Sequence, residues 1–219
     1  MPYYEIDGTH LAFETGGSFD VPEKFFCPSA KERIAAKSES ERHVSMRTYA
    51  LLYRMLQRLN VTTERLYFEG DRPRLNTWHV SLAHESTGDT VVSVVALSKD
   101  TKIGVDVVLY LRPRLDALVS SATSIFTVAE NRRLEEYGLR VDRLRFLAWR
   151  FAMREALLKS EGRGLTSLSD FKQLLQHVPV ETTRIDGGHI LASRAIEHEN
   201  IGIILSLCMC TACNDSNES

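Results

Sequence analysis

Stretches of alternating apolar and polar residues along this chain give way to stretches in which apolar residues recur at helical spacing. Residues 3–14 alternate enough to predict a strand, and residues 17–31, rich in Gly, Pro and Ser, predict a loop. Between residues 31 and 58, Val44, Ala50, Leu51, Leu52, Met55 and Leu56 fall at helical spacing, with Leu59 following, and predict one or two helices. Gly70-Asp71-Arg72-Pro73 predicts a turn. Strands are expected around 77–83 and 90–97, joined by Glu85-Ser86-Thr87-Gly88-Asp89, and again at 102–108. Helices are expected at 113–123, 127–137 and 141–160, one of them opened by a capping box of Thr127 and Glu130. Strands return at 171–177, 180–184, 189–196 and 200–209, before a polar tail, 214–219, expected to be disordered.

This order contains a faint internal echo. Met46-Arg47-Thr48-Tyr49-Ala50-Leu51-Leu52 recurs in outline as Met153-Arg154-Glu155-Ala156-Leu157-Leu158, and the hairpin from His79 to Leu97 as that from His189 to Leu207. The 219 residues suit one large domain or two lobes of about 100 residues each. The expectation is an α+β protein of two similar lobes, residues 1–100 and 101–213, with a ligand cleft between them.

Composition narrows the functions. The 43% apolar content supports a sizeable core, and a net charge of −2 argues against a surface built for polyanions, so no nucleic-acid partner is expected. Arg132, Arg133, Arg140, Arg143, Arg145 and Arg150 are interrupted by Glu130, Glu135, Glu136 and Asp142, as on a solvated helix face. No signal peptide is read at Met1-Pro2-Tyr3-Tyr4-Glu5-Ile6, and the longest apolar run, Ile201 to Cys213, falls short of the ~20 residues of a membrane span. Cys27, Cys208, Cys210 and Cys213 form no pairing framework, which points to a reducing, cytoplasmic setting without membrane attachment. The three C-terminal cysteines are too few for the four ligands typical of zinc and read as strand-end packing.

The candidate chemistry lies in Arg150-Phe151-Ala152-Met153-Arg154-Glu155-Ala156-Leu157-Leu158-Lys159, followed by Gly162-Arg163-Gly164-Leu165. Glu155 and Lys159, four apart, share a helix face. Such a pair is often a surface ion pair, but here the neighbours are Phe151, Ala152, Ala156, Leu157 and Leu158. Asp106, in Ile103-Gly104-Val105-Asp106-Val107, either caps a strand end or supplies a second carboxylate. Two carboxylates and a lysine suit a divalent cation carrying a phosphate ester. Arg47, Arg72 and His84, each unremarkable alone, would with Lys159 surround a nucleotide bearing several phosphates.

In order along residues 44–170, these segments resemble the 4′-phosphopantetheinyl transferase superfamily. Gly104-Val105-Asp106 is similar to its Gly-Ile/Val-Asp motif. Phe151 to Lys159 is similar to Trp/Phe-x-x-Lys-Glu-Ala/Ser-x-x-Lys, with Arg154 for the first lysine, and Gly162 to Leu165 to Gly-x-Gly-Leu. Gly70-Asp71-Arg72-Pro73-Arg74-Leu75 resembles Gly-Lys-Pro-x-Leu with one insertion. Val80-Ser81-Leu82-Ala83-His84 resembles the Ser-His strand, and Phe126-Thr127-Val128-Ala129-Glu130 the Phe-Thr/Ser-x-x-Glu segment. The length is like the two-lobed, monomeric branch, while the Phe-Ala-x-Arg-Glu-Ala wording is closer to the short holo-acyl-carrier-protein synthase branch.

The resemblance implies a pseudo-twofold fold and transfer of the phosphopantetheine arm of coenzyme A to a serine of an apo acyl or peptidyl carrier protein. Adenosine 3′,5′-bisphosphate is the other product. It implies Mg²⁺ on Asp106 and Glu155, catalytic roles for Glu155, Lys159 and Asp106, and coenzyme A contacts from Arg47, Arg72, Pro73, His84, Asp106, Arg154 and Lys159. Two departures matter further. Val108 stands where many members carry another acid, and Ala83 where a serine usually precedes the histidine. Both motivate an alternative, a degenerate relative that binds coenzyme A or a carrier protein without catalysis.

Overall fold

The computed structural model describes residues 1–17, 19–87, 90–110, 128–138, 140–162, 182–185, 189–198 and 201–210. The helix expected at 113–123, the strand at 171–177, the Thr127 capping residue, Gly164-Leu165, Cys213 and the tail 214–219 lie outside them.

The fold is mixed α+β. Strands β1 (Tyr3–Ile6), β2 (Thr9–Thr15), β5 (His79–Thr87) and β6 (Thr90–Ser98) form an antiparallel sheet of order β1-β2-β6-β5. Strands β7 (Lys102–Leu109), β8 (Thr182–Ile185), β9 (His189–His198) and β10 (Ile201–Cys210) form a second, of order β7-β10-β9-β8. A short hairpin pairs β3 (Tyr67–Glu69) with β4 (Arg72–Arg74). Helices α1 (Pro28–Ala35) and α2 (Glu39–Arg58) accompany the first sheet, α3 (Val128–Glu136) and α4 (Arg140–Glu161) the second. Both sheets repeat one connection: a strand, a helix, then a hairpin whose second strand pairs with the first strand (β2 with β6, β7 with β10).

Local chemistry explains the departures from the sequence reading. Residues 3–14 are two strands, because Asp7 (φ 46°) and Gly8 (φ 72°) take the left-handed conformations of a two-residue hairpin turn. The turn at 70–73 is flanked by strands, with Arg72 and Pro73 already in β4. The loop over 17–31 ends early at α1, which starts on Pro28. The 31–58 region divides at Ser38, whose hydroxyl accepts from the Glu41 backbone while Glu41 reaches back, a complete capping box.

Alternation then assigns each sheet two apolar faces. Leu11, Phe13, Val92 and Val94 meet Val105, Val107, Leu205 and Leu207 in a core between the sheets. The outer face of the first sheet packs under α2, with Leu52, Met55, Val95 and Leu97 buried. The outer face of the second packs under α4, with Val108, Leu147, Ala152 and Ile204 buried. Cys208 and Cys210 are buried in β10, as strand packing requires. Among the described residues no helix is long and apolar enough to cross a membrane.

Candidate functional site

Strand β7 presents Gly104, Asp106 and Val108 toward α4, one residue in two, while Ile103, Val105 and Val107 enter the core between the sheets. Gly104 sets the distance. A Cβ built on it would lie 1.8 Å from the Ala156 carbonyl oxygen and 2.4 Å from the Ser160 nitrogen. Only glycine lets the helix backbone ride this close to the strand. The neighbouring turns of α4 thereby bring Glu155 and Lys159 over Asp106. On the other side, the Val105 N–H donates to Ser81 Oγ at 2.9 Å, which fixes β7 against β5 one residue before Asp106.

Lys159 Nζ donates to Asp106 Oδ1 at 2.7 Å and to the Val105 carbonyl at 3.2 Å. Asp106 is buried, and that burial raises its pKa against the opposing pull of Lys159. Glu155 is half-buried, and its Oε1 is shielded from solvent without a hydrogen-bond partner. Burial first, then the Asp106 charge, pushes the Glu155 carboxyl up to about 7, while Lys159 pulls it back. Two mutually repelling carboxylates, one with an orphaned oxygen, suit a divalent cation. Among the described residues no group of three or more His, Cys, Asp or Glu side chains converges, so the acidic donors here are these two. Val108 is packed with Leu144, Leu147 and Ala148 and offers no ligand atom.

Beside them opens a cavity of about 250 Å³, lined by Lys159 from α4, Arg33 and Lys37 at α1 and its end, Thr48 and Tyr49 from α2, Asp71 and Pro73 near β4, and Ala83 and His84 from β5. Arg33 is fixed by Asp71 (2.9 Å) and the Gly70 carbonyl (3.2 Å), over the Phe68 ring at 4.8 Å. Thr48 Oγ1 lies 3.3 Å from His84 Nδ1 and 3.1 Å from Ser93 Oγ. The outer edge of His84 is exposed, yet the packing around its ring, then the Lys37 and Lys159 charges, push its pKa down to about 4. The cavity is therefore cationic, and an anion entering it would relieve Lys37, His84 and Lys159 together.

The structure thus brings together Asp106, Glu155, Lys159, His84 and Pro73. Arg72 lies at the C-terminal end of α4, where a Cβ on Gly162 would meet its guanidinium at 2.2 Å. Arg47 sits over the Phe19 ring at 4.8 Å, its Nε buried without a hydrogen-bond partner, and does not line the cavity. Arg154 is a correction: it is buried, and its Nη2 donates to Glu130 Oε2 at 2.6 Å, while Arg150 Nε donates to Glu130 Oε1 at 2.6 Å. One residue beyond Met153 and one before Glu155, it projects from another face of α4 and reaches α3 rather than the cavity. Lys37, Arg33, Thr48 and Ser81 were missed in the sequence. Thr48 carried a signal, a polar side chain among the apolar positions of α2.

Residues 102–204 match the model of the 4′-phosphopantetheinyl transferase superfamily, so the resemblance read from the motifs holds over the second sheet and α4. No curated protein matches the chain.

Proposed function

We propose that this protein, whose residues 102–204 are similar to the 4′-phosphopantetheinyl transferases, moves the phosphopantetheine arm of coenzyme A to a serine of an apo acyl or peptidyl carrier protein. The superfamily match supports phosphopantetheinyl transfer in general. The observation that carries the fuller reading is the unpaired, buried Glu155 Oε1 beside Asp106, at the edge of a cationic cavity.

In this reaction the serine hydroxyl oxygen bonds to the phosphorus carrying the pantetheine arm. The bond from that phosphorus to the bridging oxygen breaks, and adenosine 3′,5′-bisphosphate leaves. Asp106 and Glu155 would hold Mg²⁺, which when bound neutralises pyrophosphate charge. Lys159, anchored on Asp106, directs its ammonium at the same phosphates. His84 and Lys37, with Pro73, line the part of the cavity suited to the nucleotide phosphates. Neither Arg72 nor Arg47 lines this cavity, and Arg154 holds α4 through Glu130 rather than the ligand. Without a cation the Glu155 carboxyl is shifted up to about 7; beside bound Mg²⁺ it would stay ionised, and in that form it could accept the serine proton. We place the two lobes at 1–100 and 101–213, related by a pseudo-twofold axis, in a monomeric cytoplasmic protein without nucleic-acid or membrane partners. The repeated strand–helix–hairpin connection supports the two-lobed reading.

The test mixes the protein, coenzyme A, Mg²⁺ and a panel of apo carrier proteins and follows carrier mass. Transfer is expected, and lost in Asp106→Ala and Glu155→Ala with the fold retained. Near-normal rates in either variant would remove the metal assignment. The buried apolar Val108 favours one alternative, a non-catalytic relative. Coenzyme A binding without transfer to any carrier would establish that reading.

A further inference from the structure

At the edge of the two sheets formed by β1, β2, β9 and β10, the core between them opens into a second cavity of about 370 Å³. Its walls are Tyr4, Ile6 and Leu11 from the first sheet and Ala192, Ile196 and Leu205 from the second. Neither Asp106, Glu155, Lys159 nor His84 lines it. The volume falls within the range of roughly 300–1,000 Å³ typical of small-molecule sites, as does the pairing of apolar walls with few polar groups.

One residue breaks the pattern of these walls. On β9, Ile190, Ala192 and Ile196 face the first sheet, as a strand period of two requires, and Ile190 and Ile196 pack against the shared core. Arg194 occupies the inward position between Ala192 and Ile196, directly across from Leu205 of β10. Its side chain runs along the cavity to an exposed tip, with the guanidinium 5.7 Å from the centroid of the Tyr4 ring. Among the described residues no carboxylate pairs with it. The cavity lining contains no acid. A charge placed where the fold calls for an aliphatic side chain is the kind of local inconsistency that marks sites of function. The cavity thus offers a ligand an aliphatic interior and a single cation at its mouth.

We propose that this cavity binds a medium-chain aliphatic carboxylate, the chain lying between the sheets against Ile6, Leu11, Ile196 and Leu205, and the carboxylate meeting Arg194. The assignment is independent of the transferase reading, because it uses no residue of that site. The chain gains from leaving water, and the charge-assisted contact with Arg194 selects a carboxylate over an uncharged head.

The test measures binding of decanoate, below its micelle concentration, to the full-length protein by calorimetric titration, without coenzyme A or metal. Decanol serves as the uncharged comparison. Saturable 1:1 binding of decanoate is expected, with decanol at least tenfold weaker. Arg194→Gln is expected to weaken decanoate about tenfold and leave decanol unchanged. Ala192→Phe, which fills the cavity, is expected to abolish binding of both, with circular dichroism showing that both variants are folded. Absence of decanoate binding to the wild-type protein overturns the proposal. So does equal binding of decanoate and decanol, or unchanged decanoate affinity in Arg194→Gln, each of which would leave Arg194 as a side chain that merely extends to solvent.

Discussion

Replacing Gly104 with alanine tests whether the approach of α4 to β7 builds the site. The added Cβ would lie 1.8 Å from the Ala156 carbonyl oxygen. Restoring an ordinary non-bonded separation of about 3.5 Å requires the helix to retreat by roughly 1.7 Å. Both neighbours are backbone atoms, so no side-chain rotation relieves the clash. The same retreat would carry Lys159 from its 2.7 Å contact with Asp106 beyond the ~3.2 Å reach of an N–H···O bond. Overpacking of this kind costs about 1–3 kcal/mol. For a chain of this size, that is a loss of about 2–12 °C in melting temperature. Misplacement by about 1 Å in an active site costs on the order of 100-fold in rate. Carrier modification by mass spectrometry and thermal unfolding read the two effects. Gly138→Ala is the control, since nothing lies within 4 Å of a Cβ there. A Gly104→Ala protein with the wild-type melting temperature and near-normal transfer would refute the reasoning, because the helix could not then be resting on that glycine.

Other perturbations separate stability from chemistry. Glu155 has a folded-state pKa raised from 4.5 to about 7, so its ionisation progressively destabilises the folded protein as pH rises through that window. In EDTA at pH 8, Glu155→Gln is therefore expected to stabilise the protein by about 1–2 kcal/mol, after allowing for solvent screening of a half-buried group, while transfer measured separately with Mg²⁺ present is lost. Urea unfolding at pH 5 and pH 8 checks the sign. His84, held near 4, is expected to titrate there by NMR in the free protein and to move upward when adenosine 3′,5′-bisphosphate binds; an unshifted titration would remove it from the phosphate site. Glu130→Gln takes away the carboxylate shared by the buried Arg150 and Arg154 and should cost about 3–5 kcal/mol in chemical denaturation.

The sequence carried the strands and helices wherever one face had to be apolar, and the pairing of Glu155 with Lys159 on one helix face because their spacing is local; the meeting of Lys159 with Asp106, 53 residues away, depends on the close strand–helix approach at Gly104. It also held, unread, the Asp7-Gly8 turn that splits the first strand in two. Arg154 was misassigned for a physical reason. Charge and position in a motif do not reveal which helix face a residue occupies against a neighbour distant in sequence, and here Glu130, 24 residues away, claims it. Lys37 and Arg33 were equally illegible, since the α1–α2 corner reaches the cavity only through tertiary packing. Arg47 looked like its neighbours in charge, but the Phe19 ring, far outside its own helix, fixes where it sits.

Val108 limits which single substitutions this arrangement can accept. The side chain is sealed beneath α4 by Leu144, Leu147, Ala148 and Ile204. A carboxylate placed there would enter that apolar seam, at a cost of several kcal/mol. An acid at this position would therefore require the facing surface of α4 to be rebuilt as well. Substitution around Asp106 and Glu155 is open to this chain one residue at a time, whereas an acid at position 108 is not.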